Sequence, residues 1–146
     1  AVRVIRNLRA SANIAPGKRV TVRALRNEAL SPVIERHADM IKALSNAERL
    51  DVVTAKPSGH LVGLMGASEI CLDLAGMVDV EAEKKRVAQE IAKVEKELAK
   101  IAGKLEDQNF VSKAPPEVVE HIRSGIDAYG LQKAKLNEYL TELGKI

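Results

Sequence analysis

Apolar residues in the second half of the chain recur every three or four positions over long stretches. Val87, Ile91, Val94, Leu98, Ile101 and Leu105 follow each other at spacings of 4, 3, 4, 3 and 4. After a break, Val119, Ile122, Ile126, Tyr129, Lys133, Leu136, Leu140 and Leu143 follow at 3, 4, 3, 4, 3, 4 and 3. A mean repeat of about 3.5 keeps each seam on one side of its helix over several turns. The break closes on Pro115-Pro116 and is too short to let the helices run parallel. The pattern therefore predicts an antiparallel coiled-coil hairpin with a thin core and a large surface. Matching Leu105 with Val119 sets Ile101 beside Ile122, Leu98 beside Ile126 and Val94 beside Tyr129. The same register puts Lys133 near Ile91 and Lys84 near Leu140, so both lysines must carry their charges outward along an apolar stem. Gly103, Gly125 and Gly130 fall inside these helices. Each costs roughly 1 kcal/mol relative to alanine, which predicts a looser arm than the seams imply.

The first half alternates on shorter periods. Val2, Ile5, Leu8 and Ala12 recur at helical spacing, with Arg3, Arg6 and Arg9 on a neighbouring face. Pro16-Gly17 reads as a turn. Val20, Val22 and Ala24 alternate with polar residues as in a half-buried strand. Ser31-Pro32 reads as a helix start, a hydroxyl cap followed by proline at the first helical position. Val33, Ile34, His37, Ile41 and Leu44 give that helix a face, ending near Asn46. Leu50–Val53, Leu61–Met65 and Ile70–Leu74 read as three more strands, with a hairpin at Gly66-Ala67-Ser68. Gly76 marks a junction, and Asp79 is placed to cap the outgoing helix, with Glu81 and Glu83 near the positive end of its dipole. The expected fold class is α+β: a small mixed sheet with one packed helix, followed by a long antiparallel α-helical coiled-coil hairpin. The expected divisions are residues 1–15, 16–76 and 77–146.

Charge adds an asymmetry. Residues 1–26 hold Arg3, Arg6, Arg9, Lys18, Arg19, Arg23 and Arg26 and no acid, although the whole chain carries only +3. Residues 27–76 hold seven acids against four bases, and residues 77–146 thirteen against twelve. The N-terminal positive field favours a polyanion, with Arg6 and Arg9 as candidate contacts; solvated arginines are the bland reading. On the outgoing helix Arg86, Lys93, Lys96 and Lys100 fall together on the outer face, while Glu83, Glu90 and Glu97 flank the seam. That stripe suits phosphates, which fix orientation without reading sequence, or it is a solvated exterior. At the tip, Phe110 and Val111 either cap the seam or present a contact surface. Lys113, at the start of the return helix, meets a phosphate there or is an exposed loop lysine.

Several chemistries are unsupported. Aromatics are limited to Phe110, Tyr129 and Tyr139, too few to stack successive bases. Cys71 is alone, so no intrachain disulfide or cysteine cluster forms, and a reducing compartment is the simplest inference. His37, His60 and His121 are scattered without metal-ligand spacing, and His37 reads as part of a helix face. Gly17-Lys18 lacks the phosphate-loop pattern, and no nucleophile has a supporting base. No apolar run approaches the roughly 20 residues that span a bilayer, and no signal peptide is apparent. The chain opens at Ala1 already inside a helical pattern, as a piece of something longer does.

Three stretches resemble bacterial valyl-tRNA synthetases. Ile5-Arg6-Asn7-Leu8-Arg9-Ala10 with Asn13-Ile14-Ala15-Pro16-Gly17-Lys18 resembles the end of that family's anticodon-binding bundle. Leu74-Ala75-Gly76-Met77-Val78-Asp79, followed by Glu81, Glu83 and the lysine-glutamate helix, is similar to the start of its C-terminal coiled coil. The tip from Asn109 to Val119 (NFVSKAPPEVV) resembles its hairpin turn and is the most specific piece. The resemblance implies a C-terminal fragment of a class I aminoacyl-tRNA synthetase whose arm reaches the outer corner of the folded tRNA, where the D and T loops meet. Residues 1–15 would then end the anticodon-binding bundle, 16–76 form a small α/β unit and 77–146 the arm. Arg86, Lys93, Lys96, Lys100 and Lys113, with Arg6 and Arg9, would meet tRNA. The ATP-binding signatures HIGH and KMSKS are absent from this chain, and Val111-Ser112-Lys113-Ala114 is not the latter. The expectation is a non-catalytic fragment without a cofactor of its own, with ATP and Mg belonging to the parent enzyme. Its expected partners are valine-specific tRNA and the rest of the parent, with no membrane, in the cytoplasm and as a monomer. The chain departs from the family at Gly125 and Gly130, where the arm usually carries charged or alanine residues. A second reading from the residues is a helical hairpin that docks another protein or domain, with Leu131 and Tyr139 outside the seam as its contacts.

Overall fold

A computed structural model describes the whole chain, Ala1–Ile146. The elements in order are α1 (Val2–Ser11), β1 (Val20–Leu25), α2 (Ser31–Arg36), α3 (Ala38–Ser45), β2 (Ala47–Val53), β3 (His60–Met65), β4 (Ser68–Asp73), α4 (Val80–Glu106), α5 (Gln108–Lys113) and α6 (Pro116–Leu143). The chain divides into two compact units, Ala1–Glu83 with Glu142–Ile146, and Lys84–Thr141. The division falls a turn into α4 and in the last turn of α6.

In the first unit the strands form one sheet in the order β2-β1-β4-β3. β1 and β2 run parallel, joined by α2 and α3, as a crossover between parallel neighbours requires. β1–β4 and β3–β4 are antiparallel. Met65 pairs with Ser68 across a two-residue turn whose first residue, Gly66, has φ of +60°. That positive φ at the first turn position is the reason for glycine there. Alternation on β1 buries Val20, Val22 and Ala24, and on β4 Ile70 and Leu72 join them.

The helical layer is larger than one helix. α1 packs on β3 and β4 and against α3, with Ile5, Leu8 and Ala12 buried. Gly63 permits this approach: a Cβ built there would lie 2.7 Å from Val4 Cγ1 and 3.2 Å from both Leu8 methyls. α1 stops where Asn13 turns left-handed at φ 52°, so that Asn13 N–H reaches Ala10 O and Ile14 N–H reaches Arg9 O. The single helix expected over Ser31 to Asn46 is two, broken at His37 (φ −107°, ψ 17°), whose ring is exposed. Ser31 is not the cap. Asn27 Oδ1 accepts from Ala29 and Leu30 N–H one turn earlier, while Ser31 Oγ accepts from Asn27 N–H. α3 ends at Asn46 in the left-handed region, as the sequence indicates. Val33 and Leu44, expected on the buried face, are half exposed at 53% and 50%.

The second unit holds most of the two long helices. α4 starts as predicted: Asp79 Oδ1 accepts from Ala82 N–H. Its 27 residues give about 40 Å at the usual rise. None of the seam residues from Val87 to Leu105 or from Val119 to Leu143 is exposed, and Val87, Val94 and Leu143 are buried. A Cβ at Gly125 would sit 3.9 Å from Ile101 Cδ1, and Lys133 Nζ lies 2.8 Å from Glu95 Oε1. These contacts step in opposite senses along α4 and α6, as an antiparallel pair requires. Lys133 is half-buried and carries its charge outward to a solvent-exposed pair with Glu95.

Candidate nucleic-acid interface

The tip folds differently from the expected loop. Asp107 is extended (φ −76°, ψ 102°) and its carboxylate accepts from Asn109 and Phe110 N–H, so α5 begins at Gln108. Lys113 is consequently in the last turn of α5, not at the head of the return helix, which starts at Pro116. An anion at Lys113 would meet its ammonium without help from a helix N-terminus. Phe110 is half-buried; Val111 and Val118 are exposed.

The basic stripe on α4 separates into spent and available charges. Arg86 is half-buried and holds Glu90 Oε1 at 2.6 Å. Lys100 stands 4.0 Å from Glu97. Lys93 and Lys96 are exposed and no carboxylate pairs with them. One turn of α4 therefore presents two cations whose charge is not offset within the arm.

Half of the N-terminal arginines, Arg6, Arg9 and Arg23, are engaged in holding the first unit together. Arg9 is 7% exposed and donates to the carbonyls of Ser45, Asn46, Ala15 and Pro16 at 2.9–3.2 Å. This corrects its assignment as a polyanion contact: its donors face the ends of α1 and α3, not solvent. Arg6 is exposed but donates from Nε and Nη2 to Leu44 O at 3.1 and 2.6 Å. Lys18 reaches Met77 O at 3.2 Å. Arg23 donates to His60 Nε2 at 2.5 Å, and His60 Nδ1 lies 2.6 Å from Ser58 O, which fixes the Nδ1–H tautomer. Arg3, Arg19 and Arg26 remain exposed.

Glu142 Oε2 accepts from Gly59 and His60 N–H, and Oε1 takes Lys145 Nζ at 2.6 Å. Burial pushes this carboxyl up, but Lys145 and the two backbone donors outweigh it and hold it below its ordinary value. Burial pushes the Cys71 thiol up. No group of three His, Cys, Asp or Glu side chains comes together to hold a metal ion.

The sequence reading missed one feature of the arm. Beside Gly125 runs a groove of about 490 Å³ lined by Ile101 and Lys104 of α4 and by His121, Gly125, Tyr129 and Gln132 of α6. Its signal was present in the helix-interior glycine, taken only as a cost in stability. Tyr139, expected outside the seam as a docking contact, is 5% exposed and unavailable, whereas Leu131 is 59% exposed.

Residues 79–144 match the family model described as "Valyl tRNA synthetase tRNA binding arm". Those residues belong to the valyl-tRNA synthetase arm family. The match starts at Asp79, the cap of α4, so family and helices delimit the same segment. The likeness to valyl-tRNA synthetases extends beyond the arm. The chain is 36% identical over 147 residues to the valine–tRNA ligase of Prochlorococcus marinus (strain MIT 9313), covering 99% of this chain. It is 34% identical to those of Rhizobium meliloti and Thermotoga maritima, each over 97% of this chain. It spans 15–16% of the length of these relatives, in their C-terminal part. No helix of the chain is long and apolar enough to cross a membrane.

Proposed function

We propose that this chain is the non-catalytic, tRNA-binding C-terminal part of a valine–tRNA ligase and that its helical arm leans on the outer corner of folded tRNA. The observation that carries this reading is the coincidence of the arm family match, residues 79–144, with a helix that offers Lys93 and Lys96 unpaired to solvent. Phosphates are the natural target of such point charges, and the tRNA corner is recognised by shape more than by base sequence. Lys100 and Lys113 extend the contact, and Arg6 contributes from the first unit. Arg86 contributes little because Glu90 already holds it. On this reading α1 continues a helical bundle of the longer protein while packing on the sheet. Valine activation with ATP and Mg belongs to that longer, cytoplasmic protein, and the chain itself works as a monomer.

A filter-binding titration with folded tRNA at two salt concentrations tests the proposal. Affinity that falls steeply with salt supports it. Absence of binding in dilute buffer, or affinity indifferent to salt, overturns it. The competing reading, a hairpin that docks another protein, rests on exposed Leu131. It requires that reversing Lys93 and Lys96 leave tRNA binding unchanged.

A further inference from the structure

We propose that the groove beside Gly125 receives one unstacked nucleotide, its base against Tyr129 and its phosphate at Lys104 and His121. This rests on the tRNA-binding reading and names where on the arm a base is held. The groove has depth because a side chain is missing. Around the Cβ that Gly125 lacks, only Ile101 Cδ1 lies within 4 Å. His121, Gly125 and Gln132 fall at spacings of 4 and 7 on α6, which places them on one stripe of the helix, with Tyr129 beside it. Ile101 and Lys104 close the groove from α4.

Four properties fit a nucleotide. The volume, about 490 Å³, is in the range of small-molecule sites. No carboxylate lines the groove, and Lys104 is exposed and makes no ion pair, so an anion is favoured at that end. Tyr129 supplies one aromatic ring, and proteins recognise unstacked RNA bases by laying them on such rings. Gln132 adds an amide that both donates and accepts, as a base edge requires. A bare phosphate has no use for the ring and the amide. A run of successive bases would need more rings than the three this chain has, so the site holds one base.

The test uses the full chain. Guanosine 5′-monophosphate and inorganic phosphate are titrated separately while backbone amide NMR shifts are followed. Folded tRNA is then bound to the wild type and to Gly125→Leu and Gly130→Leu. Gly130→Leu has the same helical gain but fills open space. The nucleotide is expected to shift the amides of Gly125 and Gln132, and phosphate alone is not. Gly125→Leu is expected to lose about tenfold in tRNA affinity with helical circular dichroism retained, while Gly130→Leu binds as the wild type does. The proposal is overturned if phosphate shifts the same amides as the nucleotide, if neither shifts Gly125, or if Gly125→Leu binds tRNA unimpaired. Should the wild type ignore tRNA while the nucleotide still shifts Gly125, the groove stands and the tRNA reading falls.

Discussion

Arg9 shows how a basic residue in a basic segment is committed to structure. Its guanidinium ties the loop after α1 to the end of α3 through four backbone carbonyls, and Asn46 Nδ2 reinforces the same junction by donating to Pro16 O at 2.8 Å. Lysine keeps the charge but not the planar fork, so it cannot serve all four acceptors. Arg9→Lys is expected to lower stability by about 2–4 kcal/mol, read as a shift of the urea midpoint. tRNA affinity of the folded fraction should stay unchanged. Glu142 gives a pH-dependent counterpart. Its carboxyl is held below its ordinary value in the folded chain, so its stabilisation is present above the unfolded value and lost as pH falls through the folded one. Glu142→Gln should therefore be less stable than the wild type at neutral pH, by about 1–2 kcal/mol. Urea midpoints measured down the acid range should converge as pH falls through the lowered folded value of Glu142.

Glycines separate two kinds of element. At Gly63 the backbone of β3 meets Val4 and Leu8 of α1 so closely that a methyl group has no room. Gly63→Ala is expected to cost about 1–3 kcal/mol by overpacking. At Gly130 nothing lies within 4 Å of an added Cβ, and the residue is inside α6. Gly130→Ala should stabilise the arm by up to about 1 kcal/mol, so thermal melts of the two variants move in opposite directions. The elements legible in the sequence were those with sustained periodicity. The alternation of β1, the apolar face of α1 and both arm seams all emerge where expected. The elements that escaped are short or lack punctuation. α2 and α3 break at His37 with no glycine or proline to announce it, and α5 is six residues long, less than two turns, with only the Asp107 cap as a local signal. Tyr139 was misplaced because a strict heptad seam admits Leu140 or Tyr139 but not both. The covered face near the end of α6 is wide enough for Tyr139 to be buried and Leu140 half-buried. The groove escaped because a gap between helices depends on what faces the glycine, which periodicity along one helix does not report.

For the chain as a whole, a net charge of +3 says little about polyanion binding, because many cations are already held by carboxylates or backbone carbonyls. The relevant number is how many ammonium groups a phosphate would find free. On α4 these are Lys85, Lys93, Lys96 and Lys104, and the pair that shares one turn is Lys93 and Lys96; Arg86 is held by Glu90 and Lys100 stands near Glu97. Each phosphate contact releases condensed counterions and adds roughly 0.7–0.9 to the slope of log affinity against log salt. If both lysines meet the tRNA backbone, Lys93→Ala with Lys96→Ala should reduce that slope by about 1.5 and weaken binding by at least about tenfold in dilute buffer. Arg86→Ala removes one formal charge but frees Glu90 at the same time, so its slope should change by less than half as much as the double variant's, roughly 0.5. Titrations of the wild type, the double lysine variant and Arg86→Ala over one salt series distinguish net charge from exposed charge. Slopes that scale only with formal charge removed would mean that tRNA senses the diffuse field of the chain, and that no particular turn of α4 is its contact.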